Sequence, residues 1–216
     1  MSTQRLAIVD YGMGNIHSVH KALERVSENT DVIITDDPQQ ILSADRVMFP
    51  GVGAIRDCIA GLKSRGLDEA LLEFVKTGKP LLAICIGLQA LMRHSDENGG
   101  VECLGVFPGD VHGFSQRFAD AGLYHELKVP HMGWSCVEQM QAHPLWEGIP
   151  QNARFYFVHS FFAELDEDSA LAGETVYGIP FVASVTKGNV FATQFHPEKS
   201  QRWGLQLLSN FSKWNV

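Results

Sequence analysis

Lys79-Pro80-Leu81-Leu82-Ala83-Ile84-Cys85-Ile86-Gly87-Leu88-Gln89-Ala90-Leu91 is the stretch whose reading decides the fold. An apolar run of strand length ends at a cysteine, and beyond it Leu88, Leu91 and Met92 recur at helical spacing. The pattern predicts a buried strand, a sharp turn and a helix. Small residues, Ala83 and Gly87, stand two before and two after the cysteine. A nucleophile elbow needs them, because its turn is too tight for bulkier side chains. The thiol is then expected to stand exposed at the carboxyl end of the strand, over a helix N-terminus. There the dipole favours the thiolate, and reactive cysteines have pKa values of roughly 3.5–7.5 against about 8.5 when free. The other reading of the same residues is an inert cysteine on a core strand. What separates the two is whether the chain supplies a base.

At 216 residues the chain is expected to form one domain, long enough to bury a continuous core without disulfide staples. Its formal net charge of −8, with no block of Lys or Arg, argues against a nucleic-acid groove. Met1-Ser2-Thr3-Gln4-Arg5 runs directly into an apolar strand too short for a signal peptide, and no apolar run approaches the ~20 residues of a membrane span. The four cysteines (Cys58, Cys85, Cys103, Cys136) lack C-x-x-C spacing and suit a reducing compartment. A cytoplasmic protein is expected, and nothing in the pattern calls for a cofactor or a metal.

In chain order, Leu6–Asp10 is a continuous apolar run, the mark of a strand covered on both faces. Tyr11-Gly12-Met13-Gly14-Asn15 follows as a turn, with Asn15 placed to cap a helix carrying Ile16, Val19, Leu23 and Val26 on one side. A dinucleotide fingerprint fails here, since its third glycine would fall at His17. Asp31–Thr35 is a second strand, and Pro38 opens a short helix after Asp36-Asp37. Arg46–Phe49 is a third strand and ends at Pro50-Gly51-Val52-Gly53-Ala54, where two glycines let the backbone approach a ligand and turn its N–H groups outward. Helical patterns over Ile55–Leu62 and Leu67–Val75 lead back to the elbow strand. Strand and helix thus alternate into a mostly parallel sheet with helices on both faces. After His94, Gly and Pro punctuate closely spaced strands, which predicts an antiparallel extension. It includes Val129–Val137, Arg154–Val158, and a hairpin of Phe181–Thr186 with Val190–Gln194 about Lys187-Gly188-Asn189. A last helix from about Ser200 carries an apolar stripe of Trp203, Leu207, Leu208 and Phe211.

The base stands at the end of the last strand, in Thr193-Gln194-Phe195-His196-Pro197-Glu198-Lys199-Ser200. Pro197 biases His196 to an extended conformation, so that Glu198, two residues on, can reach its imidazole. A cysteine held as thiolate by a histidine, itself oriented by a carboxylate, is triad logic in the order Cys…His…Glu. With both halves quoted, the chain resembles the class I (triad) glutamine amidotransferases. Asn15 after Gly12-x-Gly14, Pro50–Ala54, Pro130-His131-Met132-Gly133-Trp134 and Tyr156-Phe157-Val158-His159-Ser160 narrow the resemblance to the glutaminase subunits of imidazole glycerol phosphate synthases, over nearly the whole chain.

That resemblance implies hydrolysis of glutamine to glutamate and ammonia, with Cys85 as nucleophile, His196 as acid and base, and Glu198 orienting it. The oxyanion donors would come from Gly51, Val52 and Gly53 and from the backbone of Ile86, each donor being worth ~2.7–4 kcal/mol to the transition state. Reorientation of the Val52 peptide on binding in the partner is implied too. Gln89, Ser160 and Phe161 match positions that hold the amino-acid part of glutamine. The implied partner is a (β/α)8-barrel cyclase that forms a heterodimer with this chain, near Asn15, Trp134 and Lys199. It uses ammonia and a phosphoribulosyl-formimino carboxamide ribotide to make imidazole glycerol phosphate and an aminoimidazole carboxamide ribotide, in histidine biosynthesis. The sequence departs from the family in having Ser135 where Asn is usual, Phe161 and Phe162 where aromatic hydroxyls are common, and Ala83 for a frequent Gly.

Rival chemistries fit less well. A zinc deaminase needs Pro-Cys-x-x-Cys downstream of its His-x-Glu, and no cysteine follows Cys136. A zinc protease needs its histidines four apart, whereas His125-Glu126 is followed by His131, with Pro130 between. Another glutaminase of the superfamily, such as the one feeding pyridoxal phosphate synthesis, would carry Gly-Gly-Glu-Ser-Thr where Pro50–Ala54 stands. A cysteine peptidase on a related elbow remains an enzyme alternative, and an inactive binding subunit on the same fold would have lost a triad residue.

Overall fold

The computed structural model describes residues 4–27, 29–123 and 126–216; Met1, Ser2 and Thr3 of the N-terminal stretch, and His125, lie outside them. β1 (Gln4–Val9), α1 (Ile16–Val26), β2 (Thr30–Thr35), α2 (Pro38–Ser43), β3 (Arg46–Gly51), α3 (Ile55–Lys63), α4 (Leu67–Lys76), β4 (Leu81–Cys85) and α5 (Ile86–Ala90) make up the first half. The second contains β5 (His94–Ser95), β6 (Val101–Glu102), β7 (Gly109–Gly113), α6 (Phe114–Asp120), β8 (His131–Gln139), β9 (Ala153–His159), β10 (Phe161–Leu165), β11 (Leu171–Tyr177), β12 (Ile179–Lys187), β13 (Val190–Thr193) and α7 (Gln201–Lys213).

A nine-stranded sheet in the order β2-β1-β3-β4-β13-β12-β11-β8-β9 forms the frame. The pairings from β2 to β13 are parallel, and those from β13 to β9 are antiparallel. This is the parallel sheet with antiparallel extension that the sequence predicts, the extension being as wide as the parallel half. The chain leaves β1 in one direction along the sheet and passes from β2 through β3 to β4 in the other. Right-handed crossovers therefore send α1 and the α2–α4 group to opposite faces. Packing agrees, with α1 against α7, and α2 and α3 each against α4. β9 alternates along its length: Ala153, Phe155, Phe157 and His159 are buried, and the residues between are more exposed.

Three local expectations come out differently. Asn15 sits at the N-cap position of α1 but its side chain makes no cap hydrogen bond, whereas Asp37 caps α2 by accepting from the Gln39 N–H. The helix after the elbow stops at Ala90; Leu91 and Met92 are fully buried beyond it. A second sheet, β10-β7-β5-β6, packs beside α5 and β12. Its strands β5, β6 and β7 are two to five residues long and carry mostly Gly and polar residues, too short to leave a periodic signature.

At the carboxyl end of the parallel strands, two glycines permit contacts that any side chain would block. A Cβ on Gly87 would lie 2.3 Å from the Phe49 carbonyl oxygen, so β3 and the elbow touch only because residue 87 has none. Ala83 is fully buried on β4, and its Cβ would lie 3.4 Å, an ordinary van der Waals contact, from a Cβ on Gly87. On α7, whose Leu207, Leu208 and Phe211 are buried as expected, a Cβ on Gly204 would meet the Pro197 carbonyl oxygen at 1.9 Å. The helix thereby seats the Pro197–Lys199 turn. Gly204→Ala is expected to displace that turn and to lower stability by about 1–3 kcal/mol, the usual cost of overpacking. Urea unfolding of the two proteins measures it.

Candidate active site

Cys85 ends β4 and stands before the first residue of α5 with φ 55 and ψ −107. A positive φ in a non-glycine residue is strained, and holding it costs of order 1–3 kcal/mol that the surrounding contacts must offset. Gly51 pairs with Cys85 across β3 and β4, which lays the Gly51-Val52-Gly53 segment alongside the thiol. The residue is 4% exposed, so the sulfur lies at the bottom of a cleft of about 410 Å³ rather than standing free. α5 has five residues, little more than one turn, so its dipole is smaller than the expected long helix would supply. Side chains must therefore set the state of the thiol.

They arrive on β13. Its parallel register with β4, Thr193 opposite Ile84, carries the chain beyond Thr193 alongside Cys85. Phe195 turns into the core and stacks on Phe155, while Gln194 and His196, on either side of it in sequence, reach the site. His196 is extended (φ −100, ψ 99) as Pro197 requires, but Pro197–Lys199 then forms a 3-10 turn. Glu198 thus reaches the ring by folding back rather than by strand alternation. Its Oε1 accepts the His196 Nδ1–H at 2.8 Å, with both side chains buried, and its Oε2 has no hydrogen-bond partner among the described residues.

Burial works to lower the His196 pKa, but hydrogen bonds to Cys85 and Glu198, together with their charge, outweigh it and raise the pKa to about 9. His196 is thus an imidazolium at neutral pH, facing the sulfur on one side and the carboxylate on the other. The buried ring can give a proton.

The cleft wall is a directed set of hydrogen bonds. His159 Nδ1 donates to the Phe161 carbonyl (2.8 Å), which leaves its Nε2 to accept from His131 Nδ1 (3.1 Å). The Ser135 hydroxyl in turn donates to His131 Nε2 (3.0 Å), as an Asn amide at that position also could. Both rings stay neutral: burial lowers His131 to about 4, and burial with the neighbouring His131 and His196 lowers His159 to about 3. Gln89, 1% exposed, donates its Nε2 protons to the Phe161 carbonyl (2.9 Å) and to Gln194 Oε1 (3.0 Å); its own Oε1 has no partner among the described residues. Phe162 packs on Phe114 and Phe181, so no hydroxyl is needed there, and at Phe161 the backbone carbonyl makes the polar contacts.

The sequence-selected residues converge. Val52, Gly53, Cys85, Ile86, Gln89 and His196 line the cleft, as do Ser160, Phe161 and Lys199. Gly51 lies just behind, at the end of β3. Asn15 and Trp134 stand outside the cleft on elements near the Pro197–Lys199 turn: α1 packs on that turn, and Trp134 lies edge-on to Tyr156 of β9, which also packs on it. Trp134 and Met132 are 36% and 63% exposed on β8, an apolar rim beside the site. Among the described residues no group of three or more His, Cys, Asp or Glu side chains could hold a metal ion, and His125 of the protease-like spacing lies outside them.

Residues 7–214 match the family model described as glutamine amidotransferase class-I. The chain belongs to the class-I glutamine amidotransferases. It is 52% identical over 210 residues to the imidazole glycerol phosphate synthase subunit HisH of Nitrosococcus oceani, covering 97% of each chain. It is 51% identical over 212 residues to the subunit HisH of Pseudomonas syringae pv. syringae, covering 98% of each. Among solved structures, PurLQS from Thermotoga maritima superposes with a TM-score of 0.71 at 17% identity over 97% of both chains, which supports the fold. The family resemblance drawn from the two motifs is thereby borne out.

Two site residues of this amidotransferase escape a motif reading. Gln194 could have been found by applying to His196 the same two-residue period used for Glu198. Glu97, which lines the cleft and accepts the Ile55 N–H at the start of α3 (3.0 Å), had no signal, because it comes from a single 3-10 turn between two-residue strands.

The buried neutral histidines make stability depend on pH. His131 and His159, and His143 at about 4, bind protons near 6.5 when unfolded but only near 3–4 when folded. The stability they permit is complete above pH ~6.5 and is lost as pH falls toward 4. Thermal melts at pH 7.5 and pH 5 are expected to show a lower Tm at pH 5.

Proposed function

We propose that the chain is the glutaminase subunit of an imidazole glycerol phosphate synthase, hydrolysing glutamine and passing the ammonia to a (β/α)8-barrel cyclase in histidine biosynthesis. The observation that carries this is Cys85 and the buried His196–Glu198 pair meeting on one cleft wall beside the unpaired Oε1 of Gln89. Relatives at about half identity over nearly the full length, named as subunit HisH, support the pathway. The whole chain, 1–216, acts as one amidotransferase domain.

Glutamine enters with its α-ammonium toward Gln89 Oε1 and the Glu97 carboxylate, and with Ser160 and Phe161 bounding its amino-acid part. Cys85 Sγ attacks the side-chain amide carbon, and the carbonyl electrons move onto the oxygen. N–H groups of the Gly51-Val52-Gly53 segment and of Ile86 receive that oxyanion. His196 gives its proton to the departing nitrogen, ammonia leaves, and a thioester to Cys85 remains. The now neutral His196 takes a proton from water, hydroxide adds to the thioester, and glutamate and the thiolate are released. Glu198 stays ionised and stabilises each imidazolium.

The exposed Met132 and Trp134, with Asn15 and Lys199, form the rim against which the cyclase docks. We place the work in the cytoplasm, in keeping with the four free cysteines and a biosynthetic role. Among the described residues no helix is long and apolar enough to cross a membrane.

Glutaminase activity is expected to be feeble for the chain alone and to rise strongly when the cyclase and its ligand are added. Cys85→Ala is expected to abolish the stimulated activity, by at least ~10³-fold; activity retained by that variant would overturn the mechanism. Because His196 must be protonated at the start, kcat/KM should fall about tenfold per pH unit above pH 9. In Glu198→Gln, which removes a charge that raises the His196 pKa, the fall should begin at lower pH.

A further inference from the structure

Among the cavities, charge clusters and buried polar groups outside the triad, the strongest lead is the carboxamide of Gln194, fully buried and in contact with the nucleophile. We propose that Gln194 holds the Cys85 sulfur as a thiolate, aligned for attack, through a hydrogen bond whose direction is dictated by a backbone carbonyl three contacts away. The proposal rests on Cys85 being the nucleophile.

The direction follows from a chain of obligate roles. The Phe161 carbonyl can only accept, so the Gln89 group beside it, at 2.9 Å, is its NH₂. That same Nε2 lies 3.0 Å from the Gln194 carboxamide, which must present its oxygen there, since two NH₂ groups would face each other otherwise. With Oε1 committed to Gln89, Gln194 has only Nε2–H to offer the sulfur, and Nε2 stands 3.6 Å from Cys85 Sγ, within hydrogen-bonding range for sulfur. The backbone fixes the position as strictly: Gln194 N donates to the Ala183 carbonyl (2.9 Å), and the β4–β13 register sets residue 194 beside residue 85.

A sulfur that meets two donors, Gln194 Nε2–H on one side and the imidazolium of His196 on the other, is favoured as S⁻ over S–H. The proton shared by Cys85 and His196 is thereby biased toward the ring, which is where the first step needs it. Gln89 also ties the substrate pocket to this arrangement. A ligand ammonium on its Oε1 polarises the amide and strengthens the Nε2–H bond to Gln194, which in turn strengthens the one to sulfur.

Gln194→Glu preserves shape and the acceptor for Gln89 but turns a carboxylate oxygen toward the sulfur, and Gln194→Met removes the donor without adding charge. The rate of Cys85 alkylation by iodoacetamide is followed against pH in the full-length protein by peptide mass, with thermal melts to confirm folding. The expected result is a rate at pH 7 lower by about tenfold or more in Gln194→Glu, with the pH profile displaced upward, and a smaller displacement in the same direction in Gln194→Met. In the complex with the cyclase, kcat should fall while KM changes less than about threefold, since glutamine itself touches Gln89 and not Gln194. Melts that shift while the alkylation profiles of the folded variants coincide with wild type would assign Gln194 a packing role alone and overturn the proposal. If Cys85→Ala retains the glutaminase activity of the complex, the nucleophile assignment fails and the proposal with it.

Discussion

The parallel pairing of β13 with β4 is the constraint on which the site depends. Cys85 and His196 are more than a hundred residues apart in the chain, and only the register Thr193 opposite Ile84 brings the end of one strand beside the end of the other. Both strands are fully buried, so a slip of one residue would turn Gln194 and His196 into the core and Phe195 out of its stack on Phe155. The packing that stabilises the sheet thus also aligns the reacting groups. Gly87 against Phe49 and Gly204 against Pro197 secure the two ends, one holding the strained turn at Cys85 and the other the turn that carries Glu198.

Electrostatics completes what the register begins. Three polar side chains, Cys85, His196 and Glu198, share a buried space where an isolated charge would be costly. Cys85 and Glu198 stand on either side of the His196 ring, and their hydrogen bonds and charge outweigh burial in favour of the imidazolium. Behind it, His159 and His131 remain neutral, His131 donating to His159 and His159 to the Phe161 carbonyl. A second cation beside His196 would weaken its hold on the proton. The wall is built to avoid one.

Much of this was legible in the chain itself, and what was not has physical reasons. The elbow strand announced itself because Leu81–Ile84 is apolar without alternation and ends in Cys85 between two small residues. His196 and Glu198 were legible because proline restricts its neighbour, although the 3-10 turn that joins them was not, since a single turn of three residues has no period. The second sheet and Glu97 were hidden for the same reason: strands of two to five residues carry too little pattern. The role of Gln194, and what Ser135 does in place of Asn, were not legible, because they lie in which way a proton points, and that is fixed by contacts with residues far away in sequence, such as the Phe161 carbonyl. Ser135 replaces an expected Asn yet still donates to His131, so the departure conserves the contact while changing the side chain.

The central claim is that the imidazole of residue 196 is a cation at neutral pH because the sulfur of residue 85 and the carboxyl of residue 198 bond to it on either side and hold its pKa near 9. The most direct measurement is the ¹⁵N NMR spectrum of the His196 ring, titrated in the native chain and in Cys85→Ala. The account predicts protons on both nitrogens at pH 7.5 in the native protein, with loss of one near pH 9, and a lower titration point once the sulfur is gone. A ring that is neutral at pH 7.5, or that titrates at the same pH with and without the sulfur, would contradict it.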